Sequence, residues 1–122
     1  MSEILKRLDE ARLLREDRAF NGWSSYESWC LHVWLTGDEN TYSYCLDLAR
    51  DCVEEAGCCS QVRDGIWTEE QARRFLLADR LKSHIDDQNP LNENASLFSD
   101  LAGAALDEVD WTEVADALLS DI

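Results

Sequence analysis

The chain has 122 residues, 45% of them hydrophobic and 30% charged, which fits one globular domain over residues 1–122 and excludes a disordered chain. One proline and five glycines are too few for an all-β fold, and no apolar run or signal peptide indicates a membrane span or secretion. The net charge of −15 disfavours nucleic acid as a ligand and favours a basic protein partner. We therefore expect a cytoplasmic protein that neither enters a membrane nor binds nucleic acid directly.

The most apolar stretch of the chain lies near its start. After a first predicted helix over residues 2–19, a second predicted helix begins at Ser24 and contains or adjoins three of the five tryptophans. Ser24 is placed to cap it with Glu27 at the capping-box position, and Gly37 is placed to end it in a left-handed conformation. Its apolar arc consists of Tyr26, Trp29, Cys30, Val33 and Trp34. A helix this apolar is usually central to its domain.

Periodicity predicts the remaining helices over residues 38–56, 68–86, 95–106 and 110–122. Residues 57–67 are predicted to form a loop that Ile66 and Trp67 anchor to the core. Two further capping boxes are predicted from pairs three residues apart, namely Thr68 with Gln71 and Asp110 with Glu113. The apolar side of the fifth helix consists of Leu97, Leu101, Ala104 and Ala105. The sequence therefore predicts an all-α fold, a compact bundle of five to six helices around the tryptophan-rich helix.

The five cysteines and two histidines lack the spacing of a metal site or a catalytic centre. Structural zinc sites use cysteine pairs with two to four residues between them, whereas Cys30 and His32 point about 200° apart on one helix and His84 lies on another. Reduced thiols are expected throughout, with Cys58 and Cys59 the two expected at the surface. No nucleophile elbow, phosphate loop or dinucleotide motif is present, so we expect no enzyme, no metal and no cofactor.

Acidic residues dominate the C-terminal third, where ten follow Lys82 and no lysine or arginine does. Ordinary solvated faces mix both signs, whereas a fixed surface of one sign steers a basic groove toward itself. A purely solubilising face is the alternative explanation. The carboxylates predicted to contact a partner are Asp100, Asp107, Glu108, Asp110, Glu113 and Asp116. Trp23, which precedes the cap of the tryptophan-rich helix, is predicted to be an apolar anchor for the same partner.

Residues 23–29 read Trp-Ser-Ser-Tyr-Glu-Ser-Trp, and residues 109–115 read Val-Asp-Trp-Thr-Glu-Val-Ala. The first segment resembles the tyrosine-glutamate-threonine-tryptophan signature of a small protein family found in phages, plasmids and other mobile elements, with Ser28 in place of the more usual threonine. The second segment, together with residues 95–101, resembles the C-terminal block of that family. The resemblance carries no activity; it implies a small acidic protein encoded by a mobile element.

Inhibitors of host defence are frequent among such proteins, and several of them act as nucleic-acid mimics. By that analogy we expect a non-enzymatic, anti-CRISPR-like inhibitor in the host cytoplasm. Its acidic surface would occupy the basic groove of a host protein such as a CRISPR effector or a restriction enzyme. The alternative is a structural or accessory interaction protein of a phage or plasmid that acts as a small oligomer. The oligomeric state, monomer or dimer, stays open under both hypotheses.

Overall fold

The computed structural model describes residues 22–122, so the predicted helix over residues 2–19 lies outside the described part. Residues 22–122 form helices without any β-strand, which confirms the predicted all-α fold. These helices are α1 (Tyr26–Gly37), α2 (Glu39–Ala56), α3 (Ser60–Arg63), α4 (Glu69–Gln88), α5 (Leu97–Asp107) and α6 (Trp111–Leu119). None of these six helices combines the length and the apolarity that crossing a bilayer requires.

The core lies where α4 packs against α2 on one side and α6 on the other. Each helix contributes small or branched apolar residues at helical spacing, which lets the backbones approach closely. The buried members of this cluster on the three helices are Cys45, Ala49, Cys52, Leu77, Ala78, Leu81, Val114, Ala115 and Leu118. Helix α4 is therefore the helix around which the described part packs.

The tryptophan-rich helix α1 is not confirmed as the central element. It packs against α2 and α6, and its only buried residues are Ser28 and Leu35. Val33 and Trp34 were expected to face the core, but Val33 is exposed and the side chain of Trp34 is 76% exposed. The apolar residues of α1 occupy most of its circumference, and only one side of a helix at the edge of a bundle meets its neighbours. The prediction for these two residues is therefore wrong.

The segment between α2 and α4 is more ordered than the predicted loop. It contains the single turn of α3, followed by Gly65 with φ +75°, a conformation that favours glycine. Trp67 anchors the segment as expected, since its ring centroid lies 5.0 Å from that of Phe75. Ile66 is exposed, so its predicted anchoring role is wrong. The predicted capping box of α4 is confirmed by the reciprocal bonds between Thr68 and Gln71.

Two further local predictions need correction. Gly37 does not adopt a left-handed conformation; α1 ends because Asp38 is extended, and the Asp38 carboxylate caps α2 by accepting the Thr41 N–H. Helix α5 begins at Leu97 after the Ser96 cap, and it has no buried residue. Its predicted apolar side, including Leu97 and Leu101, faces solvent because α5 makes little contact with the other described helices.

We expect Leu81→Ala to lower the free energy of unfolding by about 2–5 kcal/mol, because Leu81 is fully buried in α4 and its removal leaves a cavity. The matched control is Leu97→Ala on α5, an exposed site where the expected change is within about 0.5 kcal/mol. Urea denaturation followed by circular dichroism measures both. Equal losses in the two variants would contradict the described packing of α4 and α5.

Candidate acidic interaction surface

The six carboxylates predicted to contact a partner fall into two structural groups. Asp110, Glu113 and Asp116 lie on or just before α6 and are engaged in bonds within the chain. Asp100, Asp107 and Glu108 lie on α5 and its C-cap, and their carboxylates are exposed. The sequence pattern did not distinguish these groups because the partners of the first group are distant along the chain.

The start of α6 is attached to the start of α1 through two serine hydroxyl groups, one of them buried. The side chain of Ser28 is fully buried, and its Oγ accepts the backbone N–H of Asp110 at 2.8 Å. Ser25 Oγ donates to the carbonyl of Glu108 at 3.0 Å. The proton between the Ser25 and Ser28 hydroxyls, 2.8 Å apart, therefore belongs to Ser28.

Glu113 makes the outer part of the same contact. Its carboxylate accepts the backbone N–H of Ser24 at 3.2 Å and the Ser24 hydroxyl at 3.0 Å. The predicted cap of α1 is therefore shifted by one residue: Ser25 is the N-cap and accepts the N–H of Ser28. The predicted capping box of α6 is incomplete, because Asp110 accepts the N–H of Glu113 but the Glu113 side chain turns to Ser24 instead. We name Ser24, Ser25 and Ser28 the serine clasp.

Asp110 is held as an ionised cap. Its carboxylate accepts the Thr112 hydroxyl at 2.7 Å and the N–H of Glu113 at 3.2 Å. The hydrogen bond from Thr112 lowers the pKa of Asp110, and the backbone N–H groups add to this against a smaller opposing effect of partial burial. The charge of Asp110 is therefore directed at the α6 N-terminus, where it stabilises the helix.

Asp116 joins α6 to α4 through an ion pair with Arg74, whose Nε lies 2.8 Å from the Asp116 carboxylate. Both side chains are close to half exposed, at 45% and 47%, so the pair contributes at most about 1 kcal/mol. It is nevertheless the only ion pair that any acid beyond Lys82 makes within residues 22–122. Arg74 therefore reduces the negative charge that Asp116 can offer to a partner.

Trp23 lies beside the serine clasp rather than on a free surface. It is half-buried against the core, and its ring centroid lies 4.7 Å from that of His32. Burial lowers the pKa of His32, and the nearby Asp121 carboxylate opposes the effect. With Glu113, Trp23 lines a shallow groove of about 310 Å³. Its role as an apolar anchor for a partner stays a prediction.

Asp100, Asp107 and Glu108 are the acids left available. Asp100 and Asp107 lie about 20° apart around α5, since seven residues make almost two turns. Within residues 22–122 their carboxylates and that of Glu108 have no hydrogen-bond or ion-pair partner. They are the part of the predicted site that the structure leaves free to meet a partner.

The cysteines and histidines show no assembled chemical centre in the described part. All five thiols are free; Cys45 and Cys52 are buried, and burial raises the pKa of each. Cys58 is exposed as predicted, whereas Cys59 is only half exposed. His84 stacks on Tyr44 at 4.6 Å. No group of three or more His, Cys, Asp or Glu side chains within residues 22–122 is placed to hold a metal ion.

Residues 23–29 and residues 109–115, far apart in the sequence, meet in space. Residues 23–29 carry the serine clasp, and residues 109–115 carry its two carboxylate-bearing partners, Asp110 and Glu113. No known protein family, curated protein or solved structure matches the chain.

We expect Ser28→Ala to lower the free energy of unfolding by about 1–3 kcal/mol, because the N–H of Asp110 loses its acceptor, the fully buried Ser28 hydroxyl. Ser83→Ala, at an exposed position on α4, is the control and should change stability by less than about 0.5 kcal/mol. Thermal and urea unfolding provide the measurement. If Ser28→Ala unfolds like the control, the buried hydroxyl does not join α1 to α6.

The ionised cap at Asp110 makes the stability of the protein depend on pH. Because the folded pKa of Asp110 is lowered below its usual value near 3.8, its ionisation stabilises the fold above that pH, and the contribution is lost as the pH falls through the folded pKa. Asp110→Asn should therefore destabilise the protein at pH 7, by up to about 1 kcal/mol, and the difference from wild type should vanish in stronger acid.

Asp64→Asn, in the exposed turn after α3, removes one charge as well and serves as the control for net charge. Urea unfolding of the three proteins is compared between about pH 2.5 and about pH 7, a range that spans the titration of carboxyl groups. A destabilisation by Asp110→Asn that is the same at every pH would contradict the ionised cap.

Proposed function

We propose that this chain is a non-enzymatic inhibitor, encoded by a mobile element, that binds the basic groove of a host nucleic-acid-handling defence protein. The contact surface is Asp100, Asp107 and Glu108, which carry exposed carboxylates without partners on a part of the chain that has no lysine or arginine. This observation carries the proposal. Asp110, Glu113 and Asp116 support the same surface by fixing its position.

The fixed geometry of these charges supports recognition rather than mere solubility. The serine clasp binds the carbonyl of Glu108 and the N–H of Asp110, and Asp107 immediately precedes them. A carboxylate attached to an ordered backbone loses less conformational entropy on binding than one on a free tail. Lysines and arginines that normally bind phosphates can pair with such carboxylates through charge-assisted hydrogen bonds.

The sign of the field favours a protein partner over nucleic acid. A net charge of −15 repels phosphates at long range and attracts a basic groove, most strongly at low salt. The family resemblance of residues 23–29 and 109–115 adds the genomic context of a phage or plasmid. A CRISPR effector or a restriction enzyme is the target class that combines a basic nucleic-acid groove with that context.

A second candidate function is a structural or accessory protein of the mobile element that works as a small oligomer. The exposed Trp34 on α1 and Phe98 on α5 favour it, because large exposed apolar side chains often mark contacts between protein chains. Under the first candidate function, the exposed apolar side chains of α5 are available to a host protein. Under the second, another copy of the chain covers them, and measurements on α5 variants distinguish the two.

The test is competition with duplex DNA for a panel of purified restriction enzymes and CRISPR effector complexes. We expect the wild-type chain to displace DNA from at least one of them. Asp100→Asn, Asp107→Asn and Glu108→Gln combined should weaken its affinity at least about tenfold, a loss of roughly 1.4 kcal/mol, because three unpaired charges disappear. The affinity of the wild type should also fall as salt rises from about 50 to about 200 mM.

The control removes three charges elsewhere, through Asp51→Asn, Glu54→Gln and Asp79→Asn on the exposed sides of α2 and α4. It keeps the same net charge as the test variant and should retain most of the affinity. Equal losses in both variants would reduce the effect to net charge. Displacement from no member of the panel, or an affinity that does not respond to salt, would overturn the proposal.

A further inference from the structure

Helix α5 exposes an apolar stripe beside the free carboxylates. Leu97, Phe98 and Leu101 are 68%, 67% and 59% exposed, and they fall within an arc of about 100° on the helix. We name these three residues the α5 stripe. Helix α5 is capped at Ser96 by a reciprocal pair of bonds with Ser99. Its helical form is therefore specified locally, while its most apolar side is left without a partner in the described part.

The free acids border the α5 stripe. On a helix of 3.6 residues per turn, Asp100 and Asp107 lie about 60° to 80° from Leu97, on one edge of the stripe. Glu108 lies at the C-terminal end of the helix. A surface with an apolar centre and an acidic edge complements a helix that has an apolar face and flanking basic residues.

The side of α5 away from the acids leads into open apolar space. A groove of about 380 Å³ between α5 and α1 is lined mainly by apolar side chains, including the exposed Trp34 together with Leu31 and Val109. A second groove, of about 440 Å³, separates α5 from the C-terminal end of α4 and is lined by Ile85 and Ala102 among others. Both grooves adjoin the same face of α5, since Ala105 and Leu106 line each of them, so open apolar space lies along one flank of the α5 stripe.

We propose that the α5 stripe binds a basic amphipathic helix of the partner protein, with its leucine-type side chains on Leu97, Phe98 and Leu101 and its lysines or arginines on Asp100 and Asp107. The inference rests on the proposed function and deepens it, because it names the kind of element in the target that the acidic surface meets. Charge complementarity selects this occupant. A second copy of the chain would bring another acidic edge of the same sign against Asp100 and Asp107, which disfavours it.

The probe is a synthetic helix-forming peptide of leucine and lysine with its leucines at positions i, i+4 and i+7. The control peptide has the same composition with the leucines dispersed around the helix, so that only its charge matches. Fluorescence anisotropy with the full chain measures both affinities. We expect the amphipathic peptide to bind at least about tenfold more tightly than the dispersed one.

Three variants of the full chain assign the binding. Leu97→Gln, Phe98→Gln and Leu101→Gln combined should remove the advantage of the amphipathic peptide and leave the dispersed peptide unaffected. Leu97→Met with Leu101→Met should retain the advantage, because methionine keeps the apolar surface. The variant lacking the charges of Asp100, Asp107 and Glu108 should weaken both peptides. Circular dichroism confirms that each variant keeps its helices.

Other outcomes separate the alternatives. If both peptides bind equally and the acid variant weakens both, the inference about the α5 stripe fails while the proposed function stands. If neither peptide responds to the acid variant, the proposed acidic surface itself fails. Sedimentation that shows a wild-type dimer, lost in the glutamine variant, would make a second copy the occupant and overturn the inference. A fall in the melting temperature of the glutamine variant by more than about 5 °C would show that this chain covers its own stripe, and would also overturn it.

Discussion

The arrangement of the acidic surface depends on one buried hydroxyl group. Ser28 Oγ accepts the N–H of Asp110 and donates to Ser25, and Ser25 in turn donates to the carbonyl of Glu108. This chain of bonds satisfies the buried hydroxyl of Ser28 and ties it to the junction between α5 and α6. It also fixes where α5 ends and in which direction α6 starts. The free carboxylates therefore take their positions from a contact with α1, far away in the sequence.

The same joint explains why an acidic segment can be both structural and available for binding. Asp110, Glu113 and Asp116 are directed at a helix N-terminus, at Ser24 and at Arg74, so their charge is used within the fold. The carboxylates on α5 lie on a helix that contributes no buried side chain, so nothing within the described part neutralises them. The two groups lie close together in the sequence and could not be distinguished there. They differ because α1 and α4 supply bonding partners to Glu113 and Asp116 but not to the carboxylates on α5.

Local signals predicted the helices well, because caps and apolar periodicity act over a few residues. Thr68 with Gln71 and the buried row of α2 are examples of such short-range determinants. The orientation of an apolar helix is a different matter, since it depends on which neighbours are present. Trp34 and Leu97 have the side chains of core residues but lie where no described helix packs against them. The division of the six carboxylates into bonded and free groups could not be predicted from the sequence either, because bonding partners such as Glu113 and Ser24 are 89 positions apart.

The absence of buried side chains in α5 has an energetic consequence. A helix of 11 residues is marginal in water by itself, and α5 gains little from packing, so the free energy that opens it locally is well below that of α4. Its amide hydrogens would exchange with solvent long before those of the core. A partner that binds α5 therefore also suppresses its local opening.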